Sequence, residues 1–121
     1  MAWIRMTGTK SLPKGWIDGS NLFPSLINSL PTSPQTYNAD LRKVKFMRIV
    51  CDYYYDNPSK FYGNLTKGIS GNVQFNSSTW KTFVFDDNGL RLTALGDTSR
   101  LVVRKVYISY DDVRPTPEPT E

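Results

Sequence analysis

The stretch from Trp80 to Val113 constrains the fold of this chain more than any other. Three apolar segments follow one another there with only turn residues between them. Thr79-Trp80-Lys81-Thr82-Phe83-Val84-Phe85 and Leu90-Arg91-Leu92-Thr93-Ala94-Leu95 flank Asp87-Asn88-Gly89, whose Asn-Gly pair favours a tight hairpin with positive φ. After Gly96-Asp97-Thr98-Ser99 the chain is extended again from Leu101 to Tyr110. A chain that ends this way reads as an all-β, antiparallel β-sandwich.

The upstream sequence agrees. Lys43 to Tyr55 reads as one long strand, with Val44, Phe46 and Val50 on one face and Met47, Ile49 and Cys51 on the other. Apolar residues on both faces mark a central strand covered on both sides. Asp56-Asn57-Pro58-Ser59 reads as a turn, Lys60–Leu65 as the returning strand and Ile69–Phe75 as a further one. The total is seven or eight strands at the spacing of a sandwich. Residues 7–36 carry Pro13, Gly15, Gly19, Pro24, Pro31 and Pro34, too many breakers for long elements. One helical turn is expected over Pro24–Leu30, and Ala2–Met6 is expected to be extended. The chain thus divides into an irregular segment, 1–36, lying on the sandwich or on a neighbouring subunit, a β-sandwich core, 37–113, and a flexible Pro/Thr/Glu tail, 114–121.

Composition excludes much chemistry. With 121 residues, one cysteine and no histidine, the chain is sized for one domain. It cannot build Ser-His or Cys-His relays or His-containing metal sites. Cys51, inside an apolar run, reads as a small buried hydrophobe. No apolar run approaches the ~18 residues of a membrane span. The start lacks the pattern of a signal peptide, so synthesis in a cytoplasm is expected, with any exit by another route such as a virus particle. The net charge of +4 is uneven: residues 111–121 carry four carboxylates against Arg114, which leaves an excess of cations on residues 1–110. These cations are scattered along the strands, apart from Arg42-Lys43-Val44-Lys45. Nucleic acid therefore ranks below a structural or glycan partner.

The densest chemical feature is Tyr53-Tyr54-Tyr55 followed by Phe61-Tyr62. Exposed aromatic faces match the C–H patches of a pyranose, and Asp52, Asp56, Asn57 and Asn64 stand close by to bond its hydroxyls. Tyr54, Tyr55, Tyr62, Asp56 and Asn57 are thus the candidate ligand-binding residues. Ordinary core packing with a tyrosine interface is the alternative, and the more frequent use of tyrosine. Trp80 reads as an anchor of its sheet, Trp3 and Trp16 as contacts for a partner or ligand, and Arg48 and Arg104 as paired, half-buried arginines. Asp86-Asp87 and Asp111-Asp112 point to opposite faces of a strand, so neither doublet supplies the facing carboxylates of glycoside hydrolysis, and no enzyme is expected. No cofactor is called for. Asp86–Gly89 is half a calcium loop without the later glutamate, and calcium bound through loop carbonyls stays open as an alternative.

The pattern of Thr79–Phe85, Leu90-Arg91-Leu92 and Val102–Ile108, preceded by Arg48–Tyr55, resembles the C-terminal half of galactose-binding-like jelly rolls, which are carbohydrate-binding modules. The opening Ala2-Trp3-Ile4-Arg5-Met6 is similar to the starts of small bacteriophage virion or tail proteins. The resemblance implies a non-enzymatic module of a virion or tail, made in the host cytoplasm, homo-oligomeric, attached to other virion subunits and binding cell-surface polysaccharide. A purely structural virion protein, such as a capsid decoration or tail component, is the other reading.

Overall fold

Strands that alternate buried and exposed residues, such as Arg91–Leu95, and strands buried on both faces, such as Phe46–Tyr53 and Leu101–Ser109, form two sheets packed face to face. The computed structural model describes residues 12–30, 34–53, 56–76, 79–95 and 101–120. Strand β1 (Ile17–Asp18) leads into a 3-10 turn at Ser20–Leu22 and then β2 (Gln35–Asn38). Six strands follow: β3 (Phe46–Tyr53), β4 (Asp56–Thr66), β5 (Ser70–Asn76), β6 (Thr79–Phe85), β7 (Arg91–Leu95) and β8 (Leu101–Ser109). They form two four-stranded antiparallel sheets, ordered β1-β8-β3-β4 and β2-β7-β6-β5. The expected β-sandwich is the observed architecture. β3 and β4 lie side by side in the first sheet and β5, β6 and β7 in the second, while β8 returns between β1 and β3 and β7 between β2 and β6.

The core lies between the inner faces. Met47, Ile49 and Cys51 of β3 meet Phe83 and Phe85 of β6, Leu92 and Ala94 of β7, and Val103, Val106 and Ile108 of β8. Burial pushes the Cys51 thiol up to about 12, which leaves it protonated and unreactive at neutral pH. Phe23 and Leu26, from the segment before β2, enter the same core, so this part of the irregular segment is built into the sandwich. The expected helical turn is there: the Ile27 amide donates to the Phe23 carbonyl at 3.1 Å. Val44 belongs to this inner core rather than sharing a face with Phe46 and Val50, because a turn closed from Val44 N–H to the Leu41 carbonyl precedes the strand.

β3 is covered on both faces, as its composition predicts. Its outer face carries a second cluster of Trp16, Val50 and Tyr107, with Leu12, Phe46 and Tyr62 packed against it. Trp16, expected to meet a partner or ligand, is 4% exposed in this internal layer, and its Nε1–H donates to the Pro115 carbonyl at 3.1 Å. Asp56–Ser59, expected to be a turn, belongs to β4. Tyr53 pairs with Asp56 and Asp52 with Lys60, so Asn57-Pro58-Ser59 form a bulge, where a proline costs no ladder hydrogen bond.

One side of the sandwich is nearly closed. β4 and β5 run so close that a Cβ on Gly71 would stand 2.3 Å from the Asn64 carbonyl oxygen, and one on Gly63 would stand 2.6 Å from a Val73 methyl. The β6–β7 connection is a wider loop than the two-residue turn expected. The Gly89 amide donates to the Asp86 carbonyl at 3.0 Å, and Gly89 has φ 71° while Asn88 is not left-handed. This is the longer hairpin connection with glycine in the left-handed position. A Cβ there would also meet Leu41 O at 2.9 Å and Arg42 Cα at 2.8 Å. Gly89→Ala is expected to lose about 2 kcal/mol, from left-handed strain plus the contact with the Leu41–Arg42 backbone, as measured by chemical denaturation.

Candidate functional site

The outer face of the β1-β8-β3-β4 sheet carries a groove of about 460 Å³ lined by Ile27, Asn28, Asp52, Lys60, Arg104, Lys105 and Thr120. Its floor is the Asp52 carboxylate, 8% exposed, which accepts from Lys60 Nζ at 2.6 Å and from Arg104 Nε at 2.9 Å. Lys60 lies directly opposite Asp52 on β4. Arg104 reaches it because of a bulge: Val50 pairs with Lys105 and Cys51 with Val103, which leaves Arg104 as the extra residue of β8. The bulge lets Arg104 and Lys105 both face outward between the buried Val103 and Val106. Bulges re-aim side chains in this way beside binding sites.

Asn28 supplies the fourth polar group. It adopts φ 62°, tolerated by Asn, and its amide donates to the Val103 carbonyl at 2.6 Å. Its Oδ1 accepts from Arg104 Nη1 at 2.8 Å, so Arg104 is held from two sides. Lys105 Nζ stands 3.3 Å from Asp18, a pair more than two-fifths exposed on each side and correspondingly weak. Two cations thus hold the Asp52 carboxylate and a third, Lys105, is paired with Asp18, which leaves the groove and its immediate rim with one net positive charge.

The stretch expected to be a flexible, solvated tail lies against this sheet and forms one wall. Arg48 donates from Nε to the Pro119 carbonyl at 2.6 Å and from Nη1 to Asn64 Oδ1 at 2.7 Å. Arg114 holds Glu118 Oε1 through Nη2 at 2.8 Å and Nε at 3.0 Å. It also donates to the Leu65 and Met47 carbonyls, each at 3.0 Å. Two arginines thus satisfy carbonyls of both the sheet and the tail, which is why a proline-rich segment with no ladder of its own stays docked.

Of the residues expected to bind ligand, Tyr62 is fully placed. Its hydroxyl donates to the Thr120 carbonyl at 2.9 Å, and one ring face lies under the Arg48 guanidinium, 4.2 Å from the ring centroid. Tyr62 therefore secures the groove wall, and that ring face is occupied. Tyr54 and Tyr55 lie outside the described residues, as do the side chains of Asp56 and Asn57. Sequence reasoning read Arg104 as a paired, half-buried arginine, which it is, but it read Asp52 as a hydrogen-bonding group for sugar hydroxyls and missed its pairing with Arg104 and Lys60, with Asn28 and Lys105 as neighbours. The one available signal was Arg104-Lys105 interrupting an apolar alternation. Among the described residues no group of three or more His, Cys, Asp or Glu side chains is placed to hold a metal. Comparison with protein-family models, curated proteins and solved structures returns no match.

Proposed function

We propose that this chain is a non-enzymatic β-sandwich module that binds polysaccharide, and that the groove at Asp52 takes a negatively charged sugar polymer. The observation that carries the reading is the β8 bulge, which turns Arg104 and Lys105 outward beside Lys60. Arginine already fixed by Asp52 and Asn28 loses little side-chain entropy on binding, and its planar donor array suits a carboxylate or sulfate. Sugar hydroxyls would be met at the rim by the Asn28 side chain and by Lys60 and Lys105. The two cations bonded to Asp52 satisfy it, so it is a positioning group rather than a general base. Attachment to a virion or phage tail, with other subunits as partners, is proposed from the resemblance of residues 2–6 alone.

Equilibrium binding to alginate, hyaluronate and polygalacturonate tests the site, with dextran and duplex DNA as references. Wild type is expected to bind an acidic glycan more tightly than either reference, with affinity falling as salt rises. Arg104→Ala is expected to weaken binding by about tenfold while keeping its circular dichroism spectrum. Equal binding by Arg104→Ala, or tighter binding to DNA, would remove the groove from consideration. Failure on every glycan would leave the chain as a structural subunit.

A further inference from the structure

We infer a second glycan surface, for an uncharged polysaccharide, on the outer face of the other sheet, β2-β7-β6-β5. In-register pairing places Thr36, Thr93 and Val84 in one outward row and Leu95, Thr82 and Asn72 in the next. Trp80 pairs with Gln74 beyond them. Far from anchoring its sheet inwardly, Trp80 is 40% exposed, since the inward positions of β6 belong to Lys81, Phe83 and Phe85.

The face is marked by what it lacks. Among its described outward positions only Arg91 is charged, at the end next to Asn38, in a chain with 21% charged residues. The opposite face of the sandwich carries Arg48, Asp52, Lys60, Arg104 and Lys105. A soluble surface ordinarily intersperses charges of both signs, and an uncharged face is complementary to an uncharged partner.

Its polar groups are ordered. Thr36 and Thr93 hydroxyls are 3.3 Å apart, and Thr82 Oγ1 donates to Asn72 Oδ1 at 2.7 Å. These cross-strand bonds fix the side chains and leave the Asn72 amide N–H groups and threonine lone pairs to serve a ligand. Sugar hydroxyls both donate and accept, so they can match each of these groups, and the indole of Trp80 offers an apolar platform for a pyranose face. Strand spacing of about 4.8 Å makes the four-stranded face wide enough for more than one hexose.

The test is depletion of the full chain from solution by cellulose, chitin and curdlan, with affinity electrophoresis in dextran and mannan. Wild type is expected to bind at least one of these equally at about 50 mM and about 500 mM NaCl, because no counterions are released. Trp80→Ala and Thr93→Lys, both outward substitutions, are expected to weaken it by about tenfold or more with unchanged circular dichroism. Should Thr93→Lys not fold, Asn72→Ala replaces it with the same expectation. Arg104→Ala is expected to bind these neutral polymers as wild type does, which separates this surface from the groove. Absence of binding to every neutral polymer, full binding by Trp80→Ala, or a wild-type dimer in sedimentation that Trp80→Ala dissociates would each overturn the inference.

Discussion

Arg114→Ala is expected to destabilise the fold by about 3 kcal/mol and to lower Tm by roughly 10 °C or more. The substitution removes one partner of a mostly buried pair with Glu118, and with it the donors to the Leu65 and Met47 carbonyls. It also removes the guanidinium that lies over the rings of Trp16 and Phe46, at 5.2 and 5.6 Å from their centroids. Glu118 would be left beside Arg48, at 3.4 Å, and the tail would lose its hold on the sheet. Arg114→Lys is expected to recover little, since one ammonium cannot reach a carboxylate and two carbonyls at once. Arg42→Ala is the control. It breaks a 2.8 Å bridge to Asp40 of which both ends are about two-thirds exposed, and a change within about 0.5 kcal/mol is expected. Equal effects of Arg114→Ala and Arg42→Ala in urea titrations would show that the docked tail contributes nothing to stability.

The second large effect concerns Gly71. Its backbone φ is not left-handed, so the requirement for glycine is one of space. A Cβ would sit 2.3 Å from Asn64 O and 3.1 Å from the carbonyl carbon, against backbone that is fixed by its own ladder. Gly71→Ala is expected to cost about 3–4 kcal/mol, at the upper end for overpacking, or to abolish folding. Gly63→Ala meets the Val73 γ-methyl at 2.6 Å and, less tightly, the Asn72 carbonyl oxygen at 3.3 Å, and should cost less. Combining it with Val73→Ala should recover part of that cost, which a double-mutant cycle measures. Tolerance of Gly71→Ala without loss of stability would mean that β4 and β5 are not held this close.

Much of the sandwich was legible because alternation is a local signal. Phe83/Phe85 and Leu92/Ala94 point inward as the pattern implies, and the two-faced apolar run of β3 announced its central place. The covering of its outer face was implied too, but not what covers it. Proline, threonine and glutamate are ordinarily solvated, and nothing in Pro115–Thr120 shows that Arg48 and Arg114 lie within reach across the fold. Trp80 was misread for the opposite reason: size suggests burial, whereas in a strand the position relative to Phe83 and Phe85 decides. The groove was legible only in part. Arg104 broke the alternation visibly, but Asn28 comes from a turn whose position depends on a backbone pairing with Val103 that no sequence window contains.

The place of β8 in its sheet bears on how the molecule is made. Among the described strands it comes last in the chain, yet it is the strand that joins β1 to β3. Before Leu101–Ser109 has emerged from the ribosome, β1 has no neighbour among the described strands, β3 is paired with β4 alone among them, and the inner faces of both sheets are incompletely covered. The β3–β4 hairpin and the β5–β6–β7 meander can form as the chain appears, since their contacts are local. Closure of the core must wait for β8. A nascent chain halted before β8 would present apolar strand edges to its surroundings, so demand for chaperones falls at that moment rather than during the synthesis of the first hairpins.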